Sequence, residues 1–172
     1  MSFLFFKNGF RFSRTSLFLC LFMGLSLLTL AQVNLKYRLL SAYSLSPDAS
    51  VNKTKTTLYI FDSAESLNEI FTRSTPAPKQ ATAPNFTKET AIGIVLPPTN
   101  TLPKISISRV FVQDSTLTIR YIRMKDTSQT KTIQPVKIQP TLLLAIPRQT
   151  VLKTRLIENG KLIQTIRSND DK

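Results

Sequence analysis

The amino-acid sequence predicts a mostly β, α+β fold: an antiparallel sheet, curled or sandwich-like, with one short helix packed on it. Three observations lead to this prediction. After residue 32, short runs of alternating or β-branched apolar residues recur with turn residues between them, which is the pattern of consecutive short strands. Only the segment at 62–73 has apolar residues at a convincing helical spacing. Strands do not alternate with long helices, as they would in a parallel α/β sheet.

The N-terminal segment is typical of a secretory signal peptide. Three cationic residues, Lys7, Arg11 and Arg14, precede an uncharged apolar run at residues 16–30. Small residues then fit a cleavage site after Ala31. Because the apolar run is shorter than the roughly 20 residues that a membrane-spanning helix requires, we predict cleavage rather than a retained anchor.

Cleavage would divide the chain into a signal peptide at 1–31, a single exported domain at 32–167 and a flexible tail at 168–172. The exported domain is long enough to bury a core of its own. We therefore predict that the protein is periplasmic or secreted, with no transmembrane anchor after cleavage.

The exported domain opens with two predicted strands separated by a loop. Apolar and polar residues alternate at Val33–Leu39, as in a strand buried on one face. Pro47, Asp48 and Asn52 mark a loop. The run Thr57–Phe61 is rich in β-branched and aromatic residues, which favours a second strand.

A short helix is predicted over residues 62–73. The aspartate that begins this segment is followed three residues later by Glu65, which resembles a capping box. Three apolar residues form its buried face: Leu67, Ile70 and Phe71. We expect this face to pack on the sheet, against Ile94, Ile107 and Ile119, because such a short helix is not stable alone in water.

The middle of the chain contains two polar loops and three predicted strands. Residues 74–84 carry three prolines and no large apolar residue, which indicates an exposed loop. The run Thr90–Leu96 is almost entirely apolar, which predicts a central strand buried on both faces. The strands Lys104–Gln113 and Thr116–Met124 are joined by a tight turn, and a polar loop at 125–130 follows.

The last part of the chain is predicted to add four short strands. The first two are Thr132–Gln139 and Leu142–Ile146, where prolines mark breaks or an edge. The last two are Val151–Ile157 and Lys161–Ile166. They flank an Asn-Gly dipeptide at 159–160, which strongly favours a β-hairpin turn.

The residue content excludes several kinds of active site. The chain has no histidine and one cysteine, and that cysteine, Cys20, lies in the predicted signal peptide. The exported domain therefore lacks disulfides, the usual His and Cys ligands of zinc, copper and iron, and the Ser-His and Cys-His nucleophile pairs. We predict no cofactor, no metal site and no enzymatic activity, and the sequence identifies no small-molecule substrate.

One enzymatic alternative remains open at this point, a hydrolase that uses a pair of carboxylates. Glu65 and Glu69 lie four residues apart on the predicted helix. They lie among polar residues beside the apolar stripe, so a solvated helix face is the favoured interpretation.

The charge of the chain is strongly positive, with 23 Lys+Arg against 10 Asp+Glu and a formal net charge of +13. The basic residues are spread along the sequence and form neither a run nor the basic-aromatic cluster that binds single-stranded nucleic acid. We therefore predict no nucleic-acid partner. A cell-envelope structural or adhesive protein that binds anionic glycans or lipids is an open alternative.

Two short segments between residues 57 and 148 match a known pattern. Pro84–Glu89 is similar to an Asp-Phe-Ser-Lys-Glu stretch that leads into an apolar strand, and Gln139–Arg148 is similar to a Pro-x-x-x-Val-x-Ile-Pro close. In these features the chain resembles the PrcB-like family of protease-complex subunits. The resemblance implies a non-catalytic, exported protein-binding module whose partner is an exported protease or an envelope protein.

The loop after the apolar strand departs from that family. Where the family has Pro-Thr-Gly-Gly-Tyr, this chain has Pro97, Pro98, Thr99, Asn100, Thr101, Leu102 and Pro103. Prolines stiffen the segment, and a rigid scaffold that presents a loop is a common way to carry binding. We treat it as the candidate partner-binding loop. The alternative is a plain connection whose prolines stop edge pairing.

Overall fold

The computed structural model describes residues 32–74, 82–124 and 136–168. Five predictions lie wholly or partly outside these ranges: the signal peptide at 1–31, the loop at 74–84, the loop at 125–130, the strand at 132–139 and the tail at 168–172. The strand predicted at Thr132–Gln139 is described only from residue 136. There, Ile138 forms a single β-bridge with Thr99.

Within the described ranges the chain forms eleven strands and one helix. The first half contains β1 (Val33–Asn34), β2 (Arg38–Leu39), β3 (Tyr43–Leu45), β4 (Thr57–Phe61), α1 (Ala64–Ile70), β5 (Phe71–Arg73) and β6 (Glu89–Val95). The second half contains β7 (Lys104–Gln113), β8 (Thr116–Met124), β9 (Thr141–Pro147), β10 (Lys153–Glu158) and β11 (Lys161–Arg167). The predicted fold class, mostly β with one short helix, is confirmed.

The strands form two large sheets and one two-stranded ribbon. The five-stranded sheet has the order β1-β7-β8-β10-β11, the four-stranded sheet has the order β2-β9-β6-β4, and the ribbon pairs β3 with β5. Neighbouring strands are antiparallel, except that β8 and β10 are parallel. The architecture is therefore the sandwich-like form of the predicted sheet.

The space between the two sheets holds the larger apolar core. Alternate residues of β7, β8 and β10 face the four-stranded sheet, as expected for strands with one apolar face. The buried members of this inter-sheet core come from both sheets: Leu58, Ile92, Ile94, Leu96, Val110, Leu117, Ile119, Tyr121, Leu144, Ile146 and Leu156.

A second apolar core, the outer core, covers the opposite face of the four-stranded sheet. Helix α1 and strand β5 contribute Leu67 and Phe71, and the sheet contributes Phe61, Ala91 and Val95. Strand β6 is therefore buried on both faces, as its apolar run predicts.

The prediction for the helix is wrong in two respects. The helix ends at Ile70, and Phe71 begins β5. The helix packs in the outer core, whereas Ile94, Ile107 and Ile119 belong to the inter-sheet core on the other side of the sheet. The apolar stripe shows that one helix face is buried, but it does not specify which sheet face receives it.

The N-cap of the helix also lies one residue later than predicted. The N-cap is Ser63, whose side-chain oxygen accepts a hydrogen bond from the Ser66 N–H at 3.2 Å. Asp62 instead accepts a hydrogen bond from the Thr90 hydroxyl at 3.1 Å. Serine and aspartate are both favourable N-caps, so local sequence does not distinguish them.

The single strand predicted at Val33–Leu39 is in fact two short strands in different sheets. Strand β1 pairs with β7, and strand β2 pairs with β9. Leu35, between them, packs against the inter-sheet core. The chain thus passes from one sheet to the other while it keeps the alternation that suggested one strand.

Both predicted hairpin turns use left-handed backbone. The φ angles are 48° at Asn159 and 84° at Gly160 in the β10–β11 turn, and 47° at Asp114 and 54° at Ser115 in the β7–β8 turn. Two consecutive positive φ angles are the mark of a type I′ turn, in which Asn-Gly is the preferred sequence. Ser115 therefore occupies a position that suits glycine.

Replacing Ser115 with glycine is expected to raise the free energy of unfolding by about 0.5–1 kcal/mol, because glycine adopts this conformation without the steric cost of a Cβ atom. Chemical denaturation measures the change. Gly160→Ala is the matched control and should lower the free energy of unfolding, because the φ angle of Gly160 is +84°. No atom lies within 4 Å of the added Cβ, so the loss would come from the backbone conformation alone. A Ser115→Gly protein that is less stable than the parent would contradict this account of the turn.

Candidate functional site

The predicted partner-binding loop connects β6 to β7 and is held at one residue. The Thr99 N–H donates to the Ile138 carbonyl oxygen at 2.8 Å, and the Ile138 N–H donates to the Thr99 carbonyl oxygen at 3.0 Å. The Thr99 hydroxyl donates to the Thr101 carbonyl oxygen at 3.2 Å and accepts from the Thr101 N–H at 3.3 Å. Thr99 thus fixes the shape of the loop.

The exposed part of the loop is its tip. Asn100, Thr101 and Leu102 are exposed, and 64% of the Leu102 surface is accessible to solvent. Thr99 and the three prolines are half-buried. Thr99 is less exposed than Asn100 and Thr101, and its backbone pairs with Ile138.

A second surface, which sequence reasoning missed, lies on the outer side of the five-stranded sheet. Five exposed cationic side chains from strands β7, β8, β10 and β11 lie on this surface. We call them the cationic face: Arg109, Arg120, Lys153, Arg155 and Arg167. The strand register brings them together, because Arg109 lies opposite Arg120 and Lys153 lies opposite Arg167.

An aromatic ring fixes two of these guanidinium groups. The Arg109 guanidinium carbon lies 5.3 Å from the centre of the Phe111 ring, and that of Arg120 lies 5.5 Å from it. Both distances suit a cation–π contact. The Arg109 Nε also donates to the Asn34 side-chain oxygen at 2.8 Å. These contacts hold the two arginines in place at the surface.

The positive charge of the cationic face is not balanced locally. No ion pair joins any of its five residues to another residue that the structure describes. A groove of about 430 Å³ crosses this face, lined by Arg120, Lys153 and Arg155 together with Phe111 and Asp114. The arrangement can therefore accept anionic groups, since Arg binds carboxylates and phosphates through a planar fork of N–H donors.

Arg38 and Glu89, by contrast, form an internal clamp. Arg38 donates to both carboxylate oxygens of Glu89, at 3.1 and 2.8 Å, and to the backbone carbonyl oxygens of Thr82 and Ala83. The Arg38 hydrogen bonds hold the pKa of Glu89 below its usual range. This pair ties β2 to the segment that leads into β6, so we assign it a structural role.

A second acidic group is also satisfied internally. The Tyr121 hydroxyl donates to the Glu158 carboxylate, and Arg123 lies 3.7 Å from the same carboxylate. Burial, and then the hydrogen bond to Glu158, raise the pKa of Tyr121 far above its usual value. A carboxylate held by a tyrosine and an arginine is engaged in packing rather than free for acid–base work.

The other two glutamates, which form the carboxylate pair considered above, give the hydrolase alternative no further support. Glu65 and Glu69 are both exposed on α1, which agrees with a solvated helix face. The pKa of Glu65 is lowered by hydrogen bonds to its own backbone N–H and to Ser63, as expected at a helix N-terminus. Among the described residues, no group of three His, Cys, Asp or Glu side chains could hold a metal ion.

A signal for the cationic face was present in the sequence but is weak. Polar residues, Arg120 among them, alternate with apolar ones in the segment Thr116–Tyr121, and Lys153 and Arg155 flank Thr154 in the next such segment. The period of two places the cations on one face of each strand and the core residues on the other. What the sequence does not give is the parallel pairing of β8 with β10, which makes the two segments neighbours.

The described residues include no helix that is long and apolar enough to cross a membrane. Comparison with known proteins finds no family model, no characterised protein and no solved structure that matches this chain. The candidate surfaces are therefore interpreted from their own chemistry.

Proposed function

We propose that this chain is a non-enzymatic, exported binding protein that recognises an anionic component of the cell envelope, a glycan or a lipid headgroup, through the cationic face. The observation that carries this proposal is the set of five exposed cations on one sheet face without an ion pair to any described residue. Anionic glycans and lipid headgroups both present phosphate or carboxylate oxygens, which arginine binds in a bidentate manner.

The like-charged neighbours on this face support a binding role. Like charges placed directly opposite each other on adjacent strands are destabilising, and the sheet has two such pairs, Arg109 with Arg120 and Lys153 with Arg167. Local arrangements that cost stability without a structural gain are typical of functional sites. An anionic partner would remove the repulsion on binding.

The double substitution Arg120→Gln with Arg155→Gln is expected to weaken binding to vesicles that contain anionic lipid, or to an anionic polysaccharide, by about 30-fold. Each Lys or Arg near an anionic surface contributes about 1 kcal/mol, and 1.4 kcal/mol corresponds to a factor of ten in affinity. The vesicle and polysaccharide measurements, made side by side by co-sedimentation and calorimetry, distinguish the two sources of anionic groups.

The matched control is Lys53→Gln with Lys55→Gln, which removes the same charge from an exposed loop outside the sheet. This control should retain nearly all of the binding. Binding of the parent should weaken from low to physiological salt, because exposed charges are screened within about 8–10 Å. Equal losses in the two double variants, salt-insensitive binding, or a stronger preference for duplex DNA would each contradict the proposal.

A second candidate function is the one that the PrcB-like resemblance implies, a module that binds an exported protease or an envelope protein. The observation that favours it is the β6–β7 loop, in which the exposed apolar side chain of Leu102 lies three residues after Thr99, the residue anchored by backbone hydrogen bonds. A fixed loop with an exposed apolar tip presents a small contact site at little conformational cost.

Replacing Asn100, Thr101 and Leu102 together by alanine, serine and serine is expected to leave the fold intact, because all three side chains are exposed. Capture of a specific partner from the native envelope fraction should then be lost. Thr99 is left in place as the anchor of the loop. Unchanged capture by this variant, or no specific partner for the parent, would remove the loop from consideration.

A further inference from the structure

A cavity of about 250 Å³ lies at one end of the sandwich, between the two large sheets. Leu117 and Ile166 from the five-stranded sheet and Ile146 from the four-stranded sheet form part of its apolar lining. Asp62 and Thr154 are among its polar lining residues. The volume is below the roughly 300–1,000 Å³ of typical small-molecule pockets, so any occupant must be small.

Thr154 is the first sign that the cavity is built for a ligand. Only 3% of this residue is exposed, and its hydroxyl has no hydrogen-bond partner among the described residues. Buried hydroxyls normally have a partner, because an unpaired buried polar group costs free energy. Among the described residues, every side-chain nitrogen or oxygen that is fully buried has a hydrogen-bond partner. The unpaired Thr154 hydroxyl is therefore not fully buried, and the open volume beside it is this cavity.

Asp62 is the second sign. Its carboxylate accepts one hydrogen bond, from the Thr90 hydroxyl at 3.1 Å, and no described Lys or Arg pairs with it. The residue is exposed, and like Asp48 and Asp114 it has no ion pair among the described residues, so its carboxylate is open to a ligand. The residue is not used as the helix cap, since Ser63 has that role. It therefore presents negative charge at a cavity whose other polar lining is uncharged.

We propose that this cavity binds a primary alkylammonium group, carried by a small free amine or by a lysine side chain. The ammonium would pair with Asp62, the Thr154 hydroxyl oxygen would accept a further hydrogen bond from the ammonium, and the alkyl chain would lie against the apolar lining. An anionic ligand is disfavoured by the carboxylate. This site is distinct from the cationic face, whose side chains point away from the inter-sheet space, so the proposal does not depend on the proposed function.

The test is methyl NMR of the protein purified after expression of the complete sequence, titrated with n-butylammonium and, separately, with n-butanol. Saturable shifts are expected at Ile146 and Ile166, and n-butanol should bind at least about tenfold more weakly, because charge-assisted hydrogen bonds are roughly twice as strong as neutral ones. Nα-acetyl-lysine amide and Nα-acetyl-norleucine amide form a second pair of probes. Binding of the lysine amide would identify a lysine side chain as the occupant, and binding of the free amine alone would identify a small amine.

Asp62→Asn should weaken n-butylammonium binding at least about tenfold, while the exposed Asp48→Asn, which makes the same change in the β3–β4 loop, should have no effect. The asparagine oxygen can still accept from Thr90, so the fold is expected to survive. Val151→Phe, which fills the cavity from its lining, should abolish binding of every probe. Absence of saturable shifts, equal binding of amine and alcohol, or an unaffected Asp62→Asn protein would overturn the proposal.

Discussion

Replacing Phe71 with alanine is expected to lower the free energy of unfolding by about 3–5 kcal/mol. Phe71 has no exposed surface, and its ring meets that of Phe61 edge-on, with the centroids 5.9 Å apart. Its removal would leave a cavity between β5 and the four-stranded sheet. Because whole domains are stable by only about 5–15 kcal/mol, this single change should remove a large share of the stability.

Thermal and chemical denaturation measure the Phe71→Ala effect. Phe86→Ala is the matched control, because Phe86 is only half-buried at the edge of the same outer core and should cost much less. If the Phe71→Ala protein had the same melting temperature as the parent, α1 and β5 would not stabilise the sheet. The description of α1 and β5 as part of a second apolar core would then be wrong.

Adding a methyl group at Gly93 is expected to destabilise the protein by about 1–3 kcal/mol, the usual cost of overfilling a packed core. A Cβ atom at this position would lie 2.8 Å from the Phe71 Cε2 and 3.1 Å from the Phe61 Cε2. Both rings are buried, so neither can move aside freely. The absence of a side chain at Gly93 therefore allows two aromatic rings to pack against the centre of β6.

A double-mutant cycle tests this explanation for Gly93. In a Phe71→Leu background the closest clash with the new Cβ is gone and only the Phe61 Cε2 at 3.1 Å remains, so Gly93→Ala should cost clearly less than it does in the parent. Denaturant unfolding of the four proteins gives the coupling energy. Additive effects of the two substitutions would show that Gly93 is needed for its backbone and not for the space it leaves.

The sequence supports the local elements of this fold well. The Asn159-Gly160 hairpin, the doubly buried strand around Ile92 and the single helix are each recognised from a short pattern, because turn chemistry and hydrophobic periodicity act within a few residues. The tight turn at Asp114 is recognised for the same reason.

Features that depend on distant parts of the chain are not recognised from the sequence. The alternation at Val33–Leu39 is the same whether the residues form one strand or pass between two sheets. The apolar stripe of α1 fits either face of a sheet whose central strand is buried on both sides. The cationic face depends on the order of the strands in the sheet. The side chain of Asp62 can line the cavity because Ser63, and not Asp62, caps the helix.

The two large sheets also differ in how freely their sequences can change during evolution. Six of the seven residues of β6 are buried, so nearly every substitution there disturbs one of the two cores. In β8 and β10 exposed residues such as Arg120 and Arg155 stand between buried ones. A scan of all single substitutions should find tolerated changes concentrated at these outward positions. The five-stranded sheet is thus where this protein can acquire a different binding preference without losing its fold.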